Sequence, residues 1–99
     1  MIEKDRMKKK FRFIKIVELG CIVCRKFYGV FSPALIHHLT GLEFRSIGKK
    51  ASDDDTIGLC YNHHVNGTKE HPAIHSHPAE FELRFGTQGD LLKLTNELL

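Results

Sequence analysis

The 99-residue chain lacks any apolar run near the ~18–20 residues that span a bilayer, so no membrane-crossing helix is expected. Its start is charged from Glu3 onward and has no apolar h-region. A secretory signal is therefore not expected, and the cytoplasm is the expected compartment. Internal repeats and low-complexity tracts are absent. Cysteine is scarce and odd in number, and three residues cannot all close into disulfides. The chain is also short of core. A chain of this length forms one domain and buries roughly 60–70% of the surface its unfolded state exposes. Such small scaffolds are held by a staple, whether disulfides, a metal or a partner.

Histidine is what the chain has in quantity. All seven lie between His37 and His77, and beside the odd cysteines they point to metal as the staple. Charge is unevenly spread. The net charge is +3, but residues 1–15 hold seven basic side chains against Glu3 and Asp5, a net of +5, so the other 84 residues carry −2. A basic arm before a near-neutral body suits a polyanionic partner; a solvated helix face or solubilising tail is the plainer alternative.

Met7, Phe11, Ile14 and Val17–Glu18 recur at helical spacing with Lys and Arg opposite. This predicts a helix over about 4–19, stopped by Gly20. Cys21 to Cys24 follows as a tight knuckle, and Phe27 to Pro33 reads as aromatic and turn-rich. A short strand is expected over 33–39 and a loop over 41–51. Ile57 to Cys60 reads as the lead into a short helix through His64, with Asp53, Asp54 and Asp55 as a cap. After a loop over 71–78 come a helix over 79–85 closed by Gly86 and a last helix capped by Thr87 or Gly89-Asp90. The expected fold class is α+β, with a basic helix or arm over 1–19 and the domain that carries the chemistry over 20–99.

Cys21-x2-Cys24 and Cys60-x2-His63 are two chelating knuckles with 35 residues between them. Each puts two soft or borderline ligands on one turn, and together they give a three-cysteine, one-histidine set of the kind that binds zinc tetrahedrally. A site closed by four protein ligands is structural, and its binding free energy becomes folding free energy. The alternatives are buried free cysteines beside a surface histidine, or a Cys21–Cys24 disulfide. The missing export signal speaks against the disulfide.

A second constellation is His37-His38, Asp55 and His64. A His-His pair on a strand points to opposite faces, so one can ligate a metal while its neighbour does something else. His64 projects about 100° from His63 on a helix, so the two can serve different sites. A third ligand is available from His71, His75 or His77. These residue types suit phosphodiester hydrolysis. Histidine titrates near neutrality, which fits a general base, and a histidine-held cation keeps positions open for phosphate and water. Zinc, nickel, cobalt, manganese and magnesium all remain open as that cation. Lys8, Lys9, Lys10 and Arg12 in the arm, with Arg45, Lys49 and Lys50 in the loop after the pair, are the candidate phosphate contacts. No recognition helix is evident, so little sequence readout is expected.

Cys21-x2-Cys24, His37-His38 and Asp55-Thr-Ile-Gly-Leu-Cys60-x2-His63-His64 resemble the HNH endonucleases of the ββα-metal superfamily over roughly residues 20–77. The tail, Phe81-Glu-Leu-Arg-Phe-Gly-Thr-Gln with Leu91-Leu92 and Leu98-Leu99, is similar to the Ref-type RecA-dependent recombination-enhancement nucleases of bacteriophages, which carry a basic N-terminal arm. The resemblance implies a small zinc-stapled ββα-metal domain with a basic helix before it and helices after it. It implies that His38 is the general base and that His37 and His64 hold one catalytic divalent metal, magnesium, manganese or zinc. Ile74-His75 resembles the family's apolar-His element and makes His75 the favoured third ligand, with His71 and His77 open. Cys21, Cys24, Cys60 and His63 match the structural zinc set. Asp55 stands where the family has an Asn that holds the loop and orients the base, with Asp53 or Asp54 as register alternatives. His63 replaces the family's fourth cysteine. The implied partners are DNA and a RecA-type recombinase filament, without a membrane, in the bacterial host cytoplasm. A non-catalytic zinc module docking on DNA or a recombinase is the competing reading, and the second histidine cluster disfavours it. A colicin-like toxin nuclease is a further one.

Overall fold

The structure, a computed structural model, describes residues 2–40, 54–68 and 70–99, with the backbone alone described over 2–10. Helix α1 (Ile2–Leu19) leads into a π-helical turn at Cys24–Tyr28. Strands β1 (Leu35–His38) and β2 (Thr56–Leu59) follow, then a single-turn helix α2 (Tyr61–His64), and finally α3 (Pro78–Phe85) and α4 (Gln88–Leu98). The result is a small α+β fold in which helices surround a two-stranded antiparallel sheet.

Helix α1 ends where expected. Gly20 takes a φ of +81°, donates to the Ile16 carbonyl at 3.0 Å, and turns the chain into the cysteine knuckle. A Cβ there would lie 2.7 Å from the Phe31 ring and 2.8 Å from the Ser32 carbonyl, so glycine is required by both conformation and space. Gly58 answers it across the contact, since a Cβ there would lie 2.9 Å from both the Gly20 carbonyl and the Ile16 side chain. Strand β2 can thus lie directly on the end of α1.

The face that α1 buries is not the expected one. Phe11, Ile14 and Val17 are all exposed, while Ile16 is fully buried. The reason lies with Arg12, which is half-buried on the packed side. Its Nε donates to Thr56 Oγ1 at 2.9 Å, its Nη2 to the Thr56 carbonyl at 2.7 Å, and its Nη1 to Asn96 Oδ1 at 2.8 Å. A guanidinium with three acceptors can sit against the sheet, and it ties α1 to β2 and α4. Arg12, expected among the phosphate contacts, is committed to the fold's own contacts.

The sheet pairs Leu35 with Leu59, Ile36 with Gly58, His37 with Ile57 and His38 with Thr56. Ile57 to Cys60 leads, as expected, into the short helix that ends at His64, but Ile57 to Leu59 do so as part of a strand, β2, every residue of which is buried. Thr56 and Ile57 are β-branched and fit a pleated, enclosed surface better than a helical turn. The helix begins only after Cys60, whose carbonyl accepts from the amides of His63 and His64 at 3.1 and 2.8 Å. Along β1 the alternation holds, with His37 buried and His38 exposed.

Two helices close the core. Pro78 opens α3, which buries Phe81 and Phe85 and stops at Gly86. Thr87 caps α4 through a reciprocal pair of bonds with Asp90, 3.1 Å in each direction. The core runs from Cys21–Cys24 through Leu39, Ile57 and Leu59 to Ile74, Phe81, Phe85 and Leu91. Each large apolar side chain fully buried there contributes roughly 1.5–3 kcal/mol.

Candidate functional site

Cys21 and Cys24 enter the core immediately after Gly20, Cys60 caps α2, and His63 lies one turn on. The fold brings all four together, with one ligand atom of each within 4.8 Å of every other, so the set could hold a metal ion such as zinc. Tetrahedral zinc with bonds of ~2.3 Å to sulfur and ~2.0–2.1 Å to nitrogen places sulfurs about 3.8 Å apart and sulfur–nitrogen pairs about 3.6 Å apart. Cys24 and Cys60 Sγ are 3.9 Å apart. His63 Nδ1 lies 3.7, 3.5 and 3.1 Å from the sulfurs of Cys21, Cys24 and Cys60. Burial pushes the Cys21 thiol up to about 12, so a thiolate there calls for a compensating cation. Tyr28 stacks on the His63 ring at 6.1 Å and Phe85 meets it edge-on at 5.3 Å, which holds the imidazole in place.

His64, next in the chain, belongs to a second cluster of possible metal ligands. Strand β1 supplies His37 and α2 supplies His64. The loop after α2 supplies His75, because the amides of Ile74 and His75 donate to the carbonyls of His63 and His64 at 2.8 and 3.1 Å. The three histidines each place a nitrogen within 4.8 Å of the other two. His64 Nε2 and His75 Nε2 are 3.1 Å apart. Two ligands ~2.1 Å from one ion sit about 3.0 Å apart at a right angle and about 3.4 Å apart at the tetrahedral angle, so that spacing suits a shared cation. Among the described residues, His64 Nδ1 is also the buried side-chain nitrogen or oxygen without a hydrogen-bond partner. The donor set is all imidazole, which accepts several divalent metals.

Burial lowers His37 to about 4; the Gln88 hydrogen bond opposes this, and the nearby His64, His75 and His38 add to it. Burial and then His75 lower His64. Both are neutral at pH 7, with lone pairs to offer a cation. An unfolded histidine titrates near 6.5 and binds protons that folded His37 refuses. The stability at stake is therefore fully present above about pH 6.5 and is lost as pH falls toward 4. For His37 the loss is about 2 kcal/mol between pH 6.5 and 5. In zinc-loaded chain the denaturation midpoint should fall over that window, and His37→Gln should remove part of the fall. Equal slopes for the two chains would contradict the assignment.

His38 stands exposed at the end of β1, edge-on to Phe13 at 6.2 Å. The Asp55 carbonyl accepts from the Leu39 amide at 3.0 Å, extending the pairing beyond His38. His71 and His77 lie outside the three-histidine cluster. His77 turns Nδ1 to Ser76 Oγ at 2.9 Å, and His71 lines a cavity beside Cys24, Cys60 and His63. Lys49, Lys50 and Arg45 lie outside the described residues, as do the side chains of Lys8, Lys9 and Lys10. Sequence reasoning missed Gln88, whose Oε1 is 3.3 Å from His37 Nε2, and Thr40, which holds that amide. No spacing rule signals them, because they meet across 48 residues.

A protein-family model described as "Recombination enhancement, RecA-dependent nuclease" matches residues 6–99. No curated protein and no solved structure matches the chain.

Proposed function

Because the chain belongs to the family of recombination-enhancement, RecA-dependent nucleases, we propose that it is an HNH-type, metal-dependent DNA endonuclease of phage recombination or DNA processing, working on recombinase-coated DNA in the host cytoplasm. The observation that carries this reading is the pair of separate donor sets, one of three cysteines and a histidine and one of three histidines, served by adjacent residues of one helical turn. A closed four-ligand site accounts for stability; a three-imidazole set beside an exposed histidine is what hydrolysis asks for.

His37, His64 and His75 would hold the catalytic cation. When bound, a divalent ion supplies a Lewis acid for a non-bridging phosphate oxygen and the leaving oxygen. His38 accepts the proton of the attacking water at its exposed imidazole. The β1–β2 pairing on one side and the Leu39-to-Asp55 bond on the other hold its backbone. Asp55 acts here through its carbonyl, a backbone counterpart of the loop-holding role. The basic N-terminal arm contributes phosphate contacts through Lys8, Lys9 and Lys10, and Lys49 and Lys50 add to them. Each such contact releases counterions.

Cleavage of naked duplex, single-stranded and recombinase-coated DNA, compared with magnesium, manganese and zinc, tests the reading. Nicking that needs a divalent metal, is fastest on recombinase-coated DNA and weakens steeply with salt is expected. Full activity on naked duplex would sink the recombinase dependence, and no cleavage under any condition would sink the nuclease.

A further inference from the structure

We propose that Gln88 is a positioning residue: its side-chain carbonyl holds the proton of His37 on Nε2 and so leaves the Nδ1 lone pair as the one His37 gives to a cation. The inference rests on reading His37, His64 and His75 as a metal centre.

The hydrogen bonds determine the direction of the amide. Gln88 Oε1 lies 2.9 Å from the Thr40 backbone nitrogen. A backbone N–H can only donate, so the amide atom that faces it must be the oxygen. The amide nitrogen then faces two acceptors, Thr40 Oγ1 at 3.0 Å and the Thr40 carbonyl at 3.4 Å, which agrees with the same orientation. Oε1 is also 3.3 Å from His37 Nε2. An amide oxygen can only accept, so Nε2 must carry the proton. A neutral imidazole protonated on Nε2 has its lone pair on Nδ1.

His37 is only 2% exposed, so water is poorly placed to substitute for this acceptor. Gln88 is the first residue of α4, and the Thr87–Asp90 capping box fixes that helix start independently of the Gln88 side chain. The amide therefore sits on a rigid element and clasps the end of β1, 48 residues away. Histidine ligands that donate their other N–H to such an acceptor lose roughly 10–100-fold in metal affinity when it is removed.

Zinc-loaded wild type, Gln88→Leu and Gln88→Glu are titrated with nickel(II) by calorimetry. Nitrogen NMR of the same chains before nickel reads which His37 nitrogen is protonated. Gln88→Leu should weaken nickel binding by about 10–100-fold with zinc content unchanged, and His37 should lose its uniform Nε2–H form. Gln88→Glu, which keeps an acceptor, should restore both to near wild type. Unchanged affinity and tautomer in Gln88→Leu would overturn the proposal. So would a wild-type His37 protonated on Nδ1, a result that needs no mutant to fold. Failure of the wild type to take up nickel would count against the metal centre itself, whereas the tautomer readout judges Gln88 separately.

Discussion

His38→Ala should reduce DNA cleavage by about 10²–10⁴-fold, the range that one positioned general base contributes. Zinc content and melting temperature should stay near wild type. The separation is expected because His38 is exposed and belongs to neither donor set. Its ring meets the edge of Phe13, an aromatic pair of a kind worth about 0.5–1.5 kcal/mol. His64→Ala gives the contrasting result: it removes a ligand and should lower affinity for the second metal as well as activity. If His38→Ala cleaves as well as wild type, the base lies elsewhere.

The largest effect on stability should come from the other donor set. Cys60→Ser should leave the chain largely unfolded at room temperature. Cys60 Sγ lies 3.1 Å from His63 Nδ1 and 3.9 Å from Cys24 Sγ, and so joins the two halves of the set. Structural zinc in small domains contributes about 10–16 kcal/mol of apparent binding free energy, while a domain's whole stability is about 5–15 kcal/mol. Losing one of four ligands forfeits part of that binding free energy, and a part of about 5 kcal/mol is enough to cancel a stability at the low end of that range. A strong chelator should have the same effect on wild type. Circular dichroism and thermal melting with metal analysis check this, and a native melt for Cys60→Ser at wild-type zinc content would refute it.

The parts of this protein legible in its sequence are those in which chemistry sets short spacing. Two ligands on one turn must stand three apart, so Cys21, Cys24, Cys60 and His63 could be grouped before any fold was known. Alternation along a strand separated His37 from His38 for the same reason. Gly20, Gly86 and the Thr87 cap marked helix ends through local backbone demands. What escaped depends on partners far along the chain. Arg12 meets Thr56 across 44 residues and Asn96 across 84, on the packed side of α1, while Phe11, Ile14 and Val17 stay exposed. Gln88 reaches His37 across 51 residues, and the tail motif that ends on Gln88 says nothing of that contact. Strand β2 is only four residues long, too short for periodicity to distinguish it from the helix that follows. Among the three candidates for a third ligand, the pairing of Ile74 and His75 with the carbonyls of α2 brings His75 into the cluster, and that is a tertiary event.

On this reading one chain carries two independent metal centres, one for the fold and one for the reaction. Titrating manganese into chain that already holds one zinc, while following cleavage of recombinase-coated DNA, tests it most directly. At one zinc per chain the protein should be folded but inactive, with cleavage rising in proportion to occupancy of a second site that His64→Ala weakens. Full cleavage at one zinc per chain, with no second ion bound, would contradict it.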